Sequence, residues 1–217
     1  MFFHFSAALW DYGTTCKTPQ TTDMKIRALV ALAVLALLAP LSAQDSVHNT
    51  PVVPVPLAVP DLEVVNQSGE HVHFNSGVVK DRVAVITSFF TSCTAFCPMT
   101  QERMARLAKL LRSRMGKDVV FVSVSVDPAN DTPVAMKAWG EKFHIGPGWT
   151  LVSGKTEDVQ SLLKSLGLFV DVQRHQSMLI IGNQKLGWRR VSSWSSPATL
   201  AQVINDIEKG LPQSAQK

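Results

Sequence analysis

The stretch Val83-Ala84-Val85-Ile86-Thr87-Ser88-Phe89-Phe90-Thr91-Ser92-Cys93-Thr94-Ala95-Phe96-Cys97-Pro98 decides how this chain reads. Its first eight residues are predominantly apolar and rich in β-branched and aromatic side chains, the composition of a strand covered on both faces. Pro98 brings the fixed φ favoured in a first helical turn. Met104, Leu107, Leu111 and Met115 then recur at helical spacing, with Arg103, Arg106 and Arg112 between them. A buried strand therefore hands over to an amphipathic helix, and Cys93 and Cys97 sit at the junction. Sulfurs placed at a helix amino terminus meet unpaired amides and the positive end of the dipole, which favour thiolate over thiol. Side chains four apart in a regular helix have Cβ atoms about 5–6 Å apart, too wide for the ~3.8 Å of a disulfide, but a slightly unwound first turn closes the gap. The pair is thus suited to grip a soft ion when reduced and to bridge when oxidised.

Outward from this junction the pattern alternates strand and helix. On the amino-terminal side, Leu62 to Val65 and Val72 to Phe74 flank a Gly-containing turn at Asn66 to Glu70 and predict a β-hairpin. On the carboxy-terminal side, Val119 to Val126 reads as a second buried strand, and Asp131-Thr132-Pro133 as cap and first turn of a helix carrying Met136, Trp139 and Phe143. Trp149 to Val152 predicts a short strand. Thr156-Glu157-Asp158 opens a helix bearing Val159, Leu162, Leu163 and Leu166, which Gly167 closes. Met178 to Ile181 and Trp188 to Val191 flank a turn ending at Gly187, and Ser196-Pro197 starts a last helix stopped by Gly210. This order predicts an α/β fold of thioredoxin type, a central mixed sheet flanked by helices with an N-terminal β-hairpin.

The chain has 217 residues, 46% of them hydrophobic, enough for one substantial core with appendages. Met24-Lys25-Ile26-Arg27, the apolar run Ala28 to Leu38, and Ala39 to Gln44 form a basic segment, a short apolar segment and a small-residue cut site. The run of about a dozen residues falls short of the ~20 that span a bilayer. Cleavage after Ala43 is the preferred reading, with an uncleaved amino-terminal anchor as the alternative. Residues 1–23 precede a complete leader and are read as a spurious upstream extension, 24–43 as signal peptide, 44–60 as a Pro-rich linker and 61–217 as the folded domain. Removing the leader takes away Cys16, so Cys93 and Cys97 are left as a lone pair in an oxidising, periplasmic or otherwise extracytoplasmic compartment. A bridge across four positions constrains almost no chain entropy, so the pair is there for chemistry rather than as a staple. The net charge of +4 is spread along the chain with no basic block, which argues against a nucleic-acid partner. A monomer is expected, meeting a membrane only if the leader stays uncut.

Two thiolates select soft ions such as Cu(I), and one added imidazole makes a three-ligand site for Cu(I) or Cu(II). Among the six histidines, His175 is the choice, because it stands just before the Met178 strand, where this fold brings a loop against the helix terminus. The plain alternative is a surface loop residue. His71 and His73 share one strand face, but Val72 and Phe74 then point to the core and the histidines to solvent. His144 ends a helix and acts there as a carboxy-terminal charge. His4 and His48 lie in leader and linker. Met99 and Met104, at helical spacing, are read as core filler rather than copper relays. Asp127 is either an electrostatic aid to the site or a turn residue before Pro128.

With these residues in view, Thr91-Ser92-Cys93-Thr94-Ala95-Phe96-Cys97-Pro98, preceded by Phe89-Phe90, resembles the C-x3-C-P signature of the Sco (SenC) family. Ser125-Val126-Asp127-Pro128-Ala129-Asn130-Asp131-Thr132-Pro133 is similar to that family's S-V-D-P-x-x-D-T-P segment, and His175 falls where the family places its ligand histidine. The likeness runs from about Asp61 to Lys209. It implies a thioredoxin-like fold, copper held by Cys93, Cys97 and His175, and a metallochaperone role in building the dinuclear copper centre of respiratory cytochrome oxidase. The implied partners are a copper-receiving oxidase subunit or other copper protein, and a thioredoxin-like reductant. The pattern departs at the histidine: the family's usual Asp-His-Ser or Asp-His-Thr is here Arg174-His175-Gln176. A cation beside the imidazole lowers its basicity and removes a carboxylate that would orient it. The competing reading is an enzyme, a thiol:disulfide oxidoreductase in which Cys93, expected to be the more exposed, attacks and Cys97 resolves. A peroxidase is disfavoured, because it calls for a threonine three residues ahead of the attacking cysteine and Thr91 is two ahead of Cys93.

Overall fold

The computed structural model describes residues 52–169 and 178–210. Eight strands form one mixed sheet in the order β1-β8-β7-β4-β5-β6-β2-β3. They are β1 (Val53–Val55), β2 (Glu63–Asn66), β3 (His71–His73), β4 (Val83–Phe89), β5 (Val119–Ser125), β6 (Trp149–Ser153), β7 (Met178–Asn183) and β8 (Gly187–Ser192). The helices are α1 (Phe96–Leu110), α2 (Pro133–Lys142), α3 (Thr156–Ser165) and α4 (Pro197–Glu208), with a π-helical segment at Phe74–Val79. β4 and β5 run parallel at the centre, from Val83 opposite Val119 to Phe89 opposite Ser125, and every residue of both is buried. That is why their sequences run apolar instead of alternating.

The pleat divides β4 between two cores. Val83 and Val85 meet Met104 and Leu107 of α1, Leu111 just beyond its end, and Leu200, Ile204 and Ile207 of α4, with Phe121 and Ile181. Ala84 and Ile86 face the other way, onto Val159, Leu162 and Leu163 of α3, Leu166 just beyond its end, and Phe74 of the π-helical segment. Each fully buried large side chain contributes roughly 1.5–3 kcal/mol relative to exposure, so the two layers carry most of the stability. Thr132 caps α2 through Ala135 N (3.3 Å) and Ser196 caps α4 through Thr199 N (3.1 Å), each followed by Pro at the first helical position.

The predicted hairpin is present: β2 pairs antiparallel with β3, Val64 opposite Val72, and Asn66 Oδ1 accepts from Ser68 N (2.9 Å) across the turn. Three details differ from the sequence expectation. Within the stretch read as an extended linker, Val53–Val55 pairs antiparallel with β8 as an edge strand, a position where Pro54 loses no needed ladder bond. The strand expected to reach Phe74 stops at His73, because the Asp61 carboxylate accepts from Asn75 N (2.9 Å) and Ser76 N (2.8 Å) and turns the chain into the π-helical segment. And α1 ends at Leu110, short of Met115, where the chain bends so that Gly116 N bonds Val119 O (2.8 Å). Gly148 packs against that bend with φ +82°, and a Cβ there would lie 2.3 Å from Gly116 N. Only glycine fits so close a backbone approach.

Candidate metal centre

β4 delivers the chain to Phe89 at the carboxy end of the parallel strands, and the next residues turn: Cys93 N bonds Phe90 O (3.1 Å) before α1 begins at Phe96. The residue at the N-cap position, Ala95, has no side-chain acceptor for the amides of the first turn. Cys93 takes over part of that role: Cys97 N donates to Cys93 Sγ (3.4 Å). The two cysteines are therefore side by side at a helix amino terminus, both as thiols, as the junction's sequence predicts. They lie in a small core with Phe89, Met136, Trp139, Phe143 and Leu151. The rings of Phe89, Trp139 and Phe143 form a tilted stack there, with centroids 6.3 and 4.7 Å apart.

Burial reverses the expected acidity at one of them. Desolvation, foremost, pushes the Cys97 thiol far above its ordinary value. The hydrogen bond with Cys93 and the nearby charges of Cys93 and Asp131 add to the rise, while a hydrogen bond from the Phe90 backbone opposes it. The helix terminus is thus outweighed by an apolar, acidic neighbourhood. Cys93 is the more accessible of the two, as expected, but at 6% against 3% for Cys97 both are buried.

The strongest polar cluster at this end of the sheet surrounds Asp131, which is 1% accessible. Its Oδ1 accepts from Thr91 N (2.9 Å) and Thr91 Oγ1 (2.6 Å), and its Oδ2 from Ser125 Oγ (2.5 Å). Asp127, by contrast, turns outward and accepts from Asn130 Nδ2 (3.0 and 2.9 Å), the turn role. Of the two readings left open for Asp127, the structure shows the turn residue, and the inward acid is Asp131, which the sequence offered only as part of a helix start. The available signal was the Ser125–Pro133 motif itself, but a cap-like Asp-Thr-Pro reads as a helix start and does not say which acid faces inward.

Around the thiols the surface is apolar. Phe96 and Met99 are 48% and 47% accessible. Phe96 makes an edge contact with Trp194, from the loop between β8 and α4, at 6.2 Å. Arg103 lies over the Trp194 ring at 5.1 Å and donates to its carbonyl. Of the two methionines read as core filler, Met104 is buried and Met99 is not. His71 and His73 face solvent, as alternation predicts. His71 Nδ1 is 3.0 Å from Glu63 Oε1, and His73 Nδ1 is 3.3 Å from the Asp61 carbonyl. His144 is exposed just beyond α2, with φ +54°.

Of the predicted ligand set, Cys93 and Cys97 are brought together; His175 lies outside the described residues, as do residues 1–51 with the predicted leader. Among the described residues no group of three His, Cys, Asp or Glu is arranged to hold a metal ion. The described donors are therefore two soft sulfurs, a fit for a thiophilic cation that takes at least one further ligand. Among the described residues no helix is long and apolar enough to cross a membrane.

The sequence model of the SCO1/SenC family matches residues 56–205. The chain belongs to the SCO1/SenC family. A candidate copper-binding protein of Stutzerimonas stutzeri is 30% identical over 146 residues, 65% of this chain and 70% of that one. Against SCO2-like proteins of Rickettsia the match spans about half the relatives' length. The crystal structure of a SCO1/SenC family lipoprotein from Bacillus anthracis str. Ames superimposes with a TM-score of 0.61 at 28% identity, covering 72% of this chain and 96% of that one. BsSco, a member of the Sco family of cytochrome c oxidase assembly proteins in which a disulfide switch was identified, shares the fold at 24% identity. Its TM-score is 0.62, over 73% of this chain and 95% of its own. The expected thioredoxin-like α/β fold is the fold of this family.

Proposed function

We propose that this protein is an extracytoplasmic copper carrier that holds one copper ion through Cys93, Cys97 and His175 and passes it on for assembly of the dinuclear copper centre of a respiratory cytochrome oxidase. The observation that carries the reading is the pairing of two buried thiols, Cys97 N on Cys93 Sγ at 3.4 Å, at the helix terminus of a SCO1/SenC chain. Two sulfurs in an apolar pocket favour Cu(I), and each thiol that ligates gives up its proton. The cation then compensates the negative charge that burial alone resists, which is how a thiol made less acidic by burial still serves as a ligand. The imidazole of His175 supplies the harder donor that also accommodates Cu(II). The copper acceptor is an oxidase subunit or another copper protein, and a thioredoxin-like reductant keeps the pair reduced. The leader at 24–43 directs the chain out of the cytoplasm.

The adjacency of the sulfurs also favours a second reading, a thiol:disulfide oxidoreductase using the same dithiol. His175 separates the two, since dithiol exchange needs no imidazole ligand. Titrating copper into the reduced full chain, with absorption spectra for sulfur-to-copper charge transfer, is expected to show one copper per chain. Replacing either cysteine by serine should abolish binding. His175→Ala should weaken Cu(II) binding by about a hundredfold while leaving dithiol oxidation intact. Undiminished Cu(II) binding by His175→Ala would sink the carrier assignment in favour of the oxidoreductase.

A further inference from the structure

We propose that Asp131 is a positioning residue for the dithiol, holding the segment Phe90 to Ala95 in its metal-gripping form through Thr91 and Ser125; the copper arm of its test rests on the carrier reading. The cysteine segment lies between β4 and α1 with no regular structure of its own, held locally by the turn from Cys93 N to Phe90 O and by Cys97 N on Cys93 Sγ. Left to itself such a connection samples many conformations. Asp131 reaches it from a different connection, the one between β5 and α2, and takes both the amide and the hydroxyl of Thr91, two residues before Cys93. Its other oxygen is held by Ser125 Oγ at the end of β5, the strand paired with β4.

Asp131 is itself anchored on both sides. Its amide bonds Asp127 O (2.9 Å), inside the turn that Asp127 and Asn130 close, and the next residue, Thr132, caps α2. The Ser125–Pro133 motif thus forms a bracket: a strand end, a closed turn, an inward carboxylate and a helix cap. A buried carboxylate is a poor choice for packing alone, because an apolar side chain fills space without the cost of desolvating an acid. What it adds is selectivity of geometry, since three donors converge on it only when the cysteine segment is in one place. Its charge also reaches Cys97 and raises the thiol, consistent with the closeness of bracket and site. In metal sites the groups that orient the ligands matter nearly as much as the ligands.

The test compares the reduced full-length protein with Asp131→Asn, Thr91→Val and Ser125→Ala, using copper alone and a competing chromogenic Cu(I) chelator. Asp131→Asn is expected to lower Cu(I) affinity by about tenfold or more and to shift the thiolate-to-Cu(II) absorption band, with the hydroxyl variants between it and wild type. Thr91→Val keeps the backbone bond, so it decides the matter if Asp131→Asn fails to fold. Copper affinity within about twofold of wild type and an unchanged band in both would overturn the proposal, whatever their melting temperatures. A wild type that binds no copper would defeat the carrier reading instead. The positioning role is then judged on the dithiol equilibrium with glutathione disulfide, in which Cys93 and Cys97 give up two protons and two electrons and two glutathione molecules form. Loosening the bracket is expected to move that equilibrium about threefold or more toward the Cys93–Cys97 disulfide, and an unmoved equilibrium overturns the role.

Discussion

Where β4 and β5 begin, the face under α1 and α4 is lined by Val83, Val85, Val119 and Phe121, and Leu107, Leu111, Ile181 and Ile207 fill the layer above. Where the same two strands finish, six residues further on, the face carries Thr87, Phe89, Ser123 and Ser125. The buried side chains beyond are Cys93, Cys97, Thr100, Gln101 and Asp131. One end is a packed hydrocarbon; the other is a mixture of sulfur, hydroxyl, amide and carboxylate under an aromatic lid. Burial is equally complete at both, so the difference is not one of depth. The apolar end gains stability from every group it hides, while the polar end must find a partner for each. Some are matched, as Trp149 Nε1 is by Ser123 Oγ (3.1 Å) and Asp131 is by Thr91 and Ser125. Others, such as the Gln101 amide, have no hydrogen-bond partner among the described residues. A fold tolerates such an end when it does chemistry there, and the rest of the sheet supplies the stability that makes this affordable.

If the two ends are separable in this way, they should fail separately. The largest effect is expected from Leu107→Ala, deep in the apolar end: a loss of about 2–5 kcal/mol of folding stability in denaturant titration, with copper affinity at the other end held within about twofold. A matching loss of copper affinity in the folded variant would show that the ends are one unit. A smaller effect belongs to the thiol end. Because the Cys97 thiol is raised, its proton stays on through neutral pH, and copper must displace it. Cu(I) affinity, measured by chelator competition, should therefore strengthen by about a hundredfold or more between about pH 6 and about pH 8, one factor of about ten per pH unit for the displaced proton, while thermal stability of the apoprotein barely changes. A flat affinity profile would mean that the buried thiol does not ligate.

The smallest effect sharpens the comparison at a third place, the exposed turn after β3. Hydrogen bonds from Ser76, above all, and from Asn75 hold the pKa of the Asp61 carboxyl below its ordinary value. The sign follows: a depressed carboxyl contributes stability that is present above its unfolded value of 3.8 and is lost as pH falls through the folded value. Asp61→Asn should accordingly lower the melting temperature slightly at neutral pH and make no difference in strong acid, as scanning calorimetry would register. A difference that persists unchanged in acid would assign the turn to something other than this ionised group.

Much of this architecture was legible because it depends on local pattern. The run Val83 to Phe89, the helical recurrence of Met104 and Leu107, the Thr132-Pro133 and Ser196-Pro197 starts and the Asn66 turn are decided by neighbours within a few positions. The cysteine pair and its helix terminus were legible for the same reason. What escaped was whatever depends on groups far apart in the chain. Asp131 and Asp127 are equivalent as letters, and only contacts spanning forty positions make one a buried acceptor and the other a turn residue. Met99 and Met104 were both read as core filler, but the face of α1 that the fold covers runs through Cys97, Thr100, Gln101 and Met104 and leaves Met99 in solvent.

By itself, then, the sequence determined the element order, the layering and the placing of two sulfurs at a strand-to-helix junction, because hydrophobic periodicity and capping act over a single turn or strand. The tertiary structure alone decided which acid turned inward, that both thiols were hidden, and that burial overrode the helix terminus at Cys97. Those outcomes depend on the desolvation and convergence of groups from separate connections, which spacing along a chain does not encode.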